Sequence, residues 1–423
     1  MVWKNSTLSE ISRIGDGAHA SLKRVDSGIP YLTAKNVTKS GVDYSNIDYI
    51  SEETYNKHFK EKSNALTQPK TDDILYSIIG SIGGVYVVRD EKIGISSSVA
   101  IFRADREKVL PHYLAYFLKS SSFDAQVQAI KGGVAQGFMS IGKLGTVNIT
   151  YPEDIEYQKR IVDVLYAYDN LIENNQKQIK LLEEAAQRLY KEWFVDLHFP
   201  GYEDVEIVDG VPEGWENVPL RNMISFDIGG GWGEENIKEK SENPAYVIRG
   251  KDLYGITHGD MYSIPFRYHT ESNLSSRILQ EGDIVFEVSG GSKTEGVART
   301  LLITKEMLES YGSPVICASF CKLVRINELP YSQYMYDTFQ FLRSSGKTTE
   351  FDKKSASSIV NYRWKDFLAQ QNILVPPHSI LDTYNCIAES LYHQKINHSK
   401  QIESLKNARD RLLPKLMSGE IEV

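Results

Sequence analysis

Between Ile161 and Trp193 the apolar positions step along the chain by four and three in alternation: Ile161, Leu165, Tyr168, Ile172, Asn175, Ile179, Leu182, Ala186, Leu189 and Trp193. Such spacing keeps a narrow stripe on one helix face, the pattern of a coiled-coil seam. No Pro or Gly interrupts Glu153 to Asp196, so a single helix of roughly 60 Å is predicted at 1.5 Å per residue. A second seam runs through Leu391, Lys395, His398, Ile402, Leu405, Arg409, Leu412 and Leu416, with polar interruptions. Pro414 is expected to end that helix early, because proline lacks the N–H and crowds the preceding turn. Asn175 and His398 hold equivalent seam positions, where a buried polar residue fixes register at some cost in stability. Beside the first seam, Leu171, Leu181, Tyr190 and Phe194 suggest a second apolar stripe that wants a partner.

Elsewhere the pattern shortens to strands bounded by Gly, Asn and Asp. Asp73–Ile79, Gly84–Val88 and Ser98–Phe102 read as strands, followed by a helix over Pro111–Leu118. The scheme recurs at Asp283–Val288, Val297–Ile303 and the run Val315–Val324, followed by a helix over Tyr331–Leu342. The recurrence is visible residue by residue. Trp3-Lys-Asn-Ser-Thr-Leu8 returns as Trp215-Glu-Asn-Val-Pro-Leu220, and Asp73-Ile-Leu-Tyr76 as Asp283-Ile-Val-Phe286. Ile95–Val99 returns as Ile316–Phe320, Phe117–Ser121 as Phe341–Ser345, and Asn148–Pro152 as Asn372–Pro376. The order is kept and the offset drifts only between 210 and 224 residues. The expected fold is therefore α+β: two mixed α/β domains (residues 1–150 and 215–375) alternating with two long helices (151–198 and 376–423). The helices are expected to pair as an antiparallel coiled coil about a pseudo-two-fold axis, with an acidic linker at 199–214.

Charge sharpens this picture. A net charge of −8 argues at first against nucleic acid, since phosphate contact needs Lys and Arg. Yet Glu153 to Glu216 holds sixteen Asp/Glu against six Lys/Arg, which is −10, so the rest of the chain carries +2. Arg343 to Lys365 has six basic residues against Glu350 and Asp352, and its counterpart Lys119 to Lys143 has three lysines against Asp124. Both copies are positive at the same place.

Catalytic chemistry is hard to find. Asn243-Pro-Ala-Tyr246 resembles the Asn-Pro-Pro-Tyr motif of DNA adenine methyltransferases, and Phe226–Gly233 could pass for a glycine-rich cofactor loop. The motif lacks its second proline, and the two segments lie too close together for a cofactor-binding βαβ unit. No HExxH, GxSxG or Walker-A pattern occurs. Cys317 and Cys321 read as small core residues. No catalytic residue and no metal site are expected. No apolar run approaches the ~20 residues of a membrane helix, and Met-Val-Trp-Lys-Asn-Ser has no apolar signal region. A reduced, cytoplasmic binding and assembly protein is expected.

With Asn148-Ile-Thr-Tyr-Pro152 leading into Gln158-Lys-Arg-Ile-Val162, Leu182–Phe194 followed by Phe199-Pro-Gly-Tyr202, and Arg411-Leu-Leu-Pro-Lys-Leu-Met-Ser-Gly419 at the end, the chain resembles the specificity (S) subunits of type I restriction-modification enzymes. Gly28-Ile-Pro-Tyr-Leu and Lys131-Gly-Gly-Val-Ala-Gln-Gly resemble segments of that family's target recognition domains. The second copy, Pro376–Asp382, lacks the glutamine seen at Gln158, so its helix entry is expected to pack differently. The resemblance implies that each recognition domain reads one half of a split, asymmetric DNA target. It also implies that the helices space the halves and dock two methylation (M) subunits. S-adenosylmethionine would sit in those subunits, and ATP and Mg in restriction (R) motor subunits; this chain would bind no cofactor. The alternative is a stand-alone DNA-binding or scaffold protein.

Candidate DNA contacts are Lys35, Asn36, Lys39, Lys131 and Gln136 in the first domain. In the second they are Arg249, Lys251, Lys293, Lys347, Lys353, Lys354 and Arg363. Lys and Arg would meet phosphates or guanine edges, and Asn and Gln could read adenine. Because Lys35-Asn-Val-Thr-Lys39 differs from its counterpart Gly250-Lys-Asp-Leu-Tyr254, two different half-sites are predicted.

Overall fold

The computed structural model describes residues 2–39, 41–61, 66–80, 82–131, 138–290, 296–354 and 359–423. The chain divides into two compact units, Met1–Asn170 with Lys406–Val423, and Leu171–Leu405.

In the first unit, strands Ser12–Asp16, Val99–Ala104, Ile74–Ser77 and Val85–Val87 form an antiparallel sheet in that order. Its central strands bury both faces. Ile74, Tyr76, Ala100 and Phe102 point into one core with the helix Pro111–Leu118. Leu75, Val99 and Ile101 point into another with Tyr31, Leu32 and Ile50. That is why these strands read as continuous apolar runs rather than alternating ones. A smaller sheet sets Ile29–Leu32 between Asp48–Ile50 and a parallel partner, Gly94–Ile95. Trp3–Thr7 pairs with Asn148–Pro152 at the entry to the first long helix.

The second unit repeats the plan in its own strands. Ile224–Gly229, Cys321–Ile326, Ile284–Glu287 and Thr300–Leu302 make the antiparallel sheet. Asn243–Ile248 lies between Phe266–His269 and the parallel Val315–Cys317. Glu216–Pro219 pairs with Asn372–Val375, and the helix runs over Tyr331–Ser344. The run Val315–Val324, read as one strand, is two strands in two different sheets, broken by a turn at Ala318–Phe320. Duplication extends to a buried ion pair. Arg103 grips Asp73 through Nε and Nη2 at 2.8 and 2.6 Å. Arg325 grips Asp283 in the same way at 2.8 and 2.7 Å. Each aspartate also accepts the backbone N–H three residues before it, from Lys70 and from Gln280.

The long helices are Ile155–Phe194 and His378–Ser418, of 40 and 41 residues. Fully buried Gln158 pins the first entry by bonding Leu110 N, Lys108 O and Pro152 O. Leu381 and Tyr384, both fully buried, pack the second entry instead. Within the second unit the helices run antiparallel, with Asn175 against His398, Glu183 against Lys395 and Trp193 against Tyr384. All the seam residues proposed from the sequence are buried or half-buried: Leu165, Tyr168, Ile172, Ile179, Leu182, Leu189, Trp193, Leu391, Ile402, Leu405, Leu412 and Leu416. His398 Nδ1–H donates to Asn175 Oδ1, whose amide in turn donates to Leu171 O.

Two expectations are corrected here. Pro414 does not stop the second helix, which continues to Ser418 because Leu413, Leu416 and Met417 are held in the apolar core of the first unit. Tyr190 and Phe194 are not an exposed stripe. Each is 6% exposed and packs on Tyr334. Leu171 and Leu181 do remain exposed, at 51% and 57%.

Candidate nucleic-acid interface

Each unit gathers loops from distant parts of the sequence at one sheet edge. In the first, strand Ile29–Leu32 ends in a turn closed by Thr33 N–H donating to Asn36 Oδ1 at 3.0 Å. Lys35 stands exposed on that turn. The turn is tied to the Ser96–Ser98 loop, because Ala34 N–H donates to Ser98 Oγ at 2.9 Å. Ser98 O accepts from Ile78 N, and Ile78 O accepts from Met139 N. Ile79 then bridges to Phe138. Gly84 lets the neighbouring hairpin pass close by, since a Cβ there would overlap the Val37 carbonyl. Lys39 lies beside Gly83, its side chain 76% exposed and only loosely balanced by Asp124 at 3.9 Å.

The second unit builds the same edge. Arg249 N–H donates to Asp252 Oδ2 at 2.9 Å, closing the turn that exposes Lys251. Ala318 N–H donates to Ile248 O, Phe320 O accepts from Val288 N, and Val288 O accepts from Tyr362 N. Ser289–Gly290 pairs with Val360–Tyr362, which pairs with Asp352–Lys354. Lys353 is exposed on that strand. The hydrogen bonds set the register between the copies: Lys35 corresponds to Lys251, Asn36 to Asp252 and Ser98 to Phe320. The sequence match had placed Lys35 opposite Gly250 and Val99 opposite Phe320, one residue out.

Of the proposed contacts, Lys35 and Lys39 meet at the first edge, and Lys251 and Lys353 lie on the loops and strand of the second. Lys347 is exposed in the turn Lys347–Phe351, which leads into the Lys353 strand. Gln136 and Lys293 lie outside the described residues, as do the side chains of Lys131 and Lys354. Asn36 is corrected: it is 5% exposed, and its amide bonds Asp43 O and Asn46 O, so it holds the loop rather than reading a base. Arg249 is corrected likewise, because Nε and Nη2 close on Asp252 at 2.7 and 2.8 Å. Arg363 is exposed but braced by Asp366 at 3.1 Å and Glu350 O. Sequence reasoning missed the large apolar side chains on these edges, Ile79, Phe138 and Phe320, exposed by 38%, 57% and 55%.

The glycine-rich Phe226–Gly233 segment is structural. Gly230 passes so close to the next strand that a Cβ would overlap the Cys317 and Ala318 carbonyls. Burial pushes the Cys317 thiol up to about 12 and the Cys321 thiol well up, as expected of core cysteines. Among the described residues, no cluster of His, Cys, Asp or Glu could hold a metal ion, and no helix is long and apolar enough to cross a membrane.

A mixed α/β unit built twice along two long helices, with lysine-bearing loops at the same edge of each copy, defines a two-module recognition protein. Residues 2–184 match the type I restriction modification DNA specificity domain. The chain is 27% identical to the type I restriction enzyme MjaIX specificity subunit of Methanocaldococcus jannaschii, covering 100% of this chain and 94% of that one. It is 23% identical to the HindI specificity subunit of Haemophilus influenzae, covering 83% and 87%. Its fold is that of the type I restriction-modification S subunit from M. genitalium, with a TM-score of 0.56 at 14% identity over 98% of this chain and 96% of the other. Along its whole length the chain is similar to type I restriction-modification specificity subunits.

Proposed function

We propose that this chain is the DNA-recognition subunit of a type I restriction-modification complex, each unit reading one half of a split, asymmetric target. One observation carries the reading. The same loop edge is built twice by the same hydrogen bonds, yet its side chains differ, with Ser98 answered by Phe320 and Phe138 by Asn361. Two like frames with unlike edges suit two different half-sites. Lysines on the loops would meet phosphates and set the register, leaving the remaining edge residues to read bases. Two modules on one chain gain affinity by linked occupancy.

The chain itself performs no chemistry in this reading. Two M subunits dock on the long helices and bring S-adenosylmethionine. R motor subunits, where the system has them, bring ATP and Mg. The complex works in the cytoplasm, where its DNA is. The test is to map N6-methyladenine genome-wide in the host with and without this gene. Loss of one split, asymmetric motif on deletion is expected. Unchanged motifs while the M subunit is expressed, or loss of a palindromic one, would refute the proposal.

A stand-alone binder gains some ground from the burial of Tyr190 and Phe194 in their own unit, which shortens the stripe left for a partner. Leu171, Leu181 and Ile387 still stand exposed. Size-exclusion chromatography of the chain alone separates the two: self-association is expected of an S subunit, and a clean monomer of a stand-alone protein.

A further inference from the structure

Each unit carries an exposed phenylalanine on a loop edge that also presents lysines. In the first, Phe138 is 57% exposed beside Ile79, its bridge partner. In the second, Phe320 is 55% exposed at the turn whose carbonyl accepts from both Val288 and Ser289. Neither sits where the other does. Ser98 occupies the Phe320 position in the first unit. In the second, exposed Asn361 stands across from Ser289 where Phe138 stands across from Ile79 in the first. Burial therefore does not require an aromatic at either place, and packing inside the unit does not explain them.

Resting on the DNA-recognition reading above, we propose that Phe138 and Phe320 are specificity-determining residues, each making an apolar contact with a thymine C5-methyl in its half-site. The neighbours select DNA as the occupant. Lys35 and Lys39 flank the first edge, and Lys251 and Lys353 the second, all exposed and able to meet phosphates. Between phosphate contacts, the apolar group that a base edge offers in the major groove is the thymine methyl, which distinguishes T·A from every other pair. Because the two rings come from different loops of equivalent frames, the methyl is read at a different place in each half-site.

The test uses the chain purified with its M subunit and duplexes carrying the target found by methylation mapping. Each thymine is replaced singly by deoxyuridine, which removes the methyl and leaves every hydrogen bond. One replacement per half-site is expected to weaken binding about fourfold, the worth of one buried methyl. Phe138→Ala and Phe320→Ala, each checked for an unchanged melting temperature, should weaken binding to the thymine duplex and become indifferent to uridine in their own half-site only. A half-site without an A·T pair, tolerance of uridine at every position, or an alanine variant that still discriminates would overturn the proposal. So would a loss that is equal on all sequences, which marks a wedge between base steps. If no duplex is bound specifically, the recognition reading itself has failed, a result distinct from all of these.

Discussion

Removing the aspartate of the repeated ion pair should cost the two units nearly the same stability. Asp73 and Asp283 have side chains only 3% and 1% exposed, while Arg103 and Arg325 are 27% and 33% exposed. Asp73→Ala or Asp283→Ala removes two charge-assisted hydrogen bonds and strands the N–H of Lys70 or Gln280. Breaking a fully buried pair costs about 3–5 kcal/mol. Here the guanidinium keeps some contact with water, so we take about 3 kcal/mol for each variant, at the low end of that range. For units of this size that lowers the melting temperature by roughly 6–12 °C. Urea denaturation followed by circular dichroism at neutral pH measures it. The two values should agree within about 1 kcal/mol, and the double variant should be additive, because the sites share no partner. A cost below about 1 kcal/mol in both would refute the view that the pair supports the fold. A large cost in one unit and none in the other would refute energetic equivalence of the copies.

Further predictions follow from single residues. Burial pushes the Asp337 carboxyl from 3.8 up to about 6, against hydrogen bonds from Gln333 and Tyr384 that pull it down. The folded state thus keeps a proton that the unfolded state has lost, so stability from this group is greatest below about pH 4 and falls as pH rises towards 6. Asp337→Asn should flatten that fall, and a wild-type minus variant difference that is constant from pH 4 to 7 contradicts it. Gly230→Ala should prevent the second unit from folding properly, whereas Gly229→Ala, with no atom within 4 Å of the added Cβ, should melt within about 1 °C of wild type. Equal melting temperatures would show that the Gly230 contact is not needed. Lys35→Ala and Lys251→Ala should each reduce the salt slope of DNA binding by about one, without changing which sequence is preferred. A changed methylation motif in either variant would move that lysine from phosphate to base.

The sequence was most legible where periodicity alone decides structure. A four-three spacing has one helical solution, so the two long helices and their inward faces could be placed before any fold was known. The repeat was legible because strands with both faces buried tolerate few residue types, and Asp73-Ile-Leu-Tyr76 and Asp283-Ile-Val-Phe286 therefore stayed alike. Local rules failed where contacts distant in sequence outweigh them. Pro414 breaks helices in general, yet three buried neighbours carry this one past it. Tyr190 and Phe194 fit an exposed stripe by spacing, but the aromatic cluster of Tyr334, Tyr384 and Trp215 takes them inward. The recognition edge failed for a sharper reason. Phe320 was hidden in a run that reads as one strand, because Val315-Ile-Cys and Cys321-Lys-Leu-Val are both β-prone and nothing local announces the turn between them. What opens the chain there is competition between two sheets: Val315–Cys317 is claimed by Asn243–Ile248, and Cys321–Ile326 by Ile224–Gly229 and Ile284–Glu287. Asn36 illustrates the converse. It has the side chain to read adenine, but a loop that must expose Lys35 needs its own polar atoms paired, and Asn36 supplies them to Thr33, Asp43 and Asn46. Residue type proposes a base contact; it is the hydrogen-bond demand of the loop that decides which side chains are left over to make one. On these two edges, the side chains left over include the lysines and the phenylalanines.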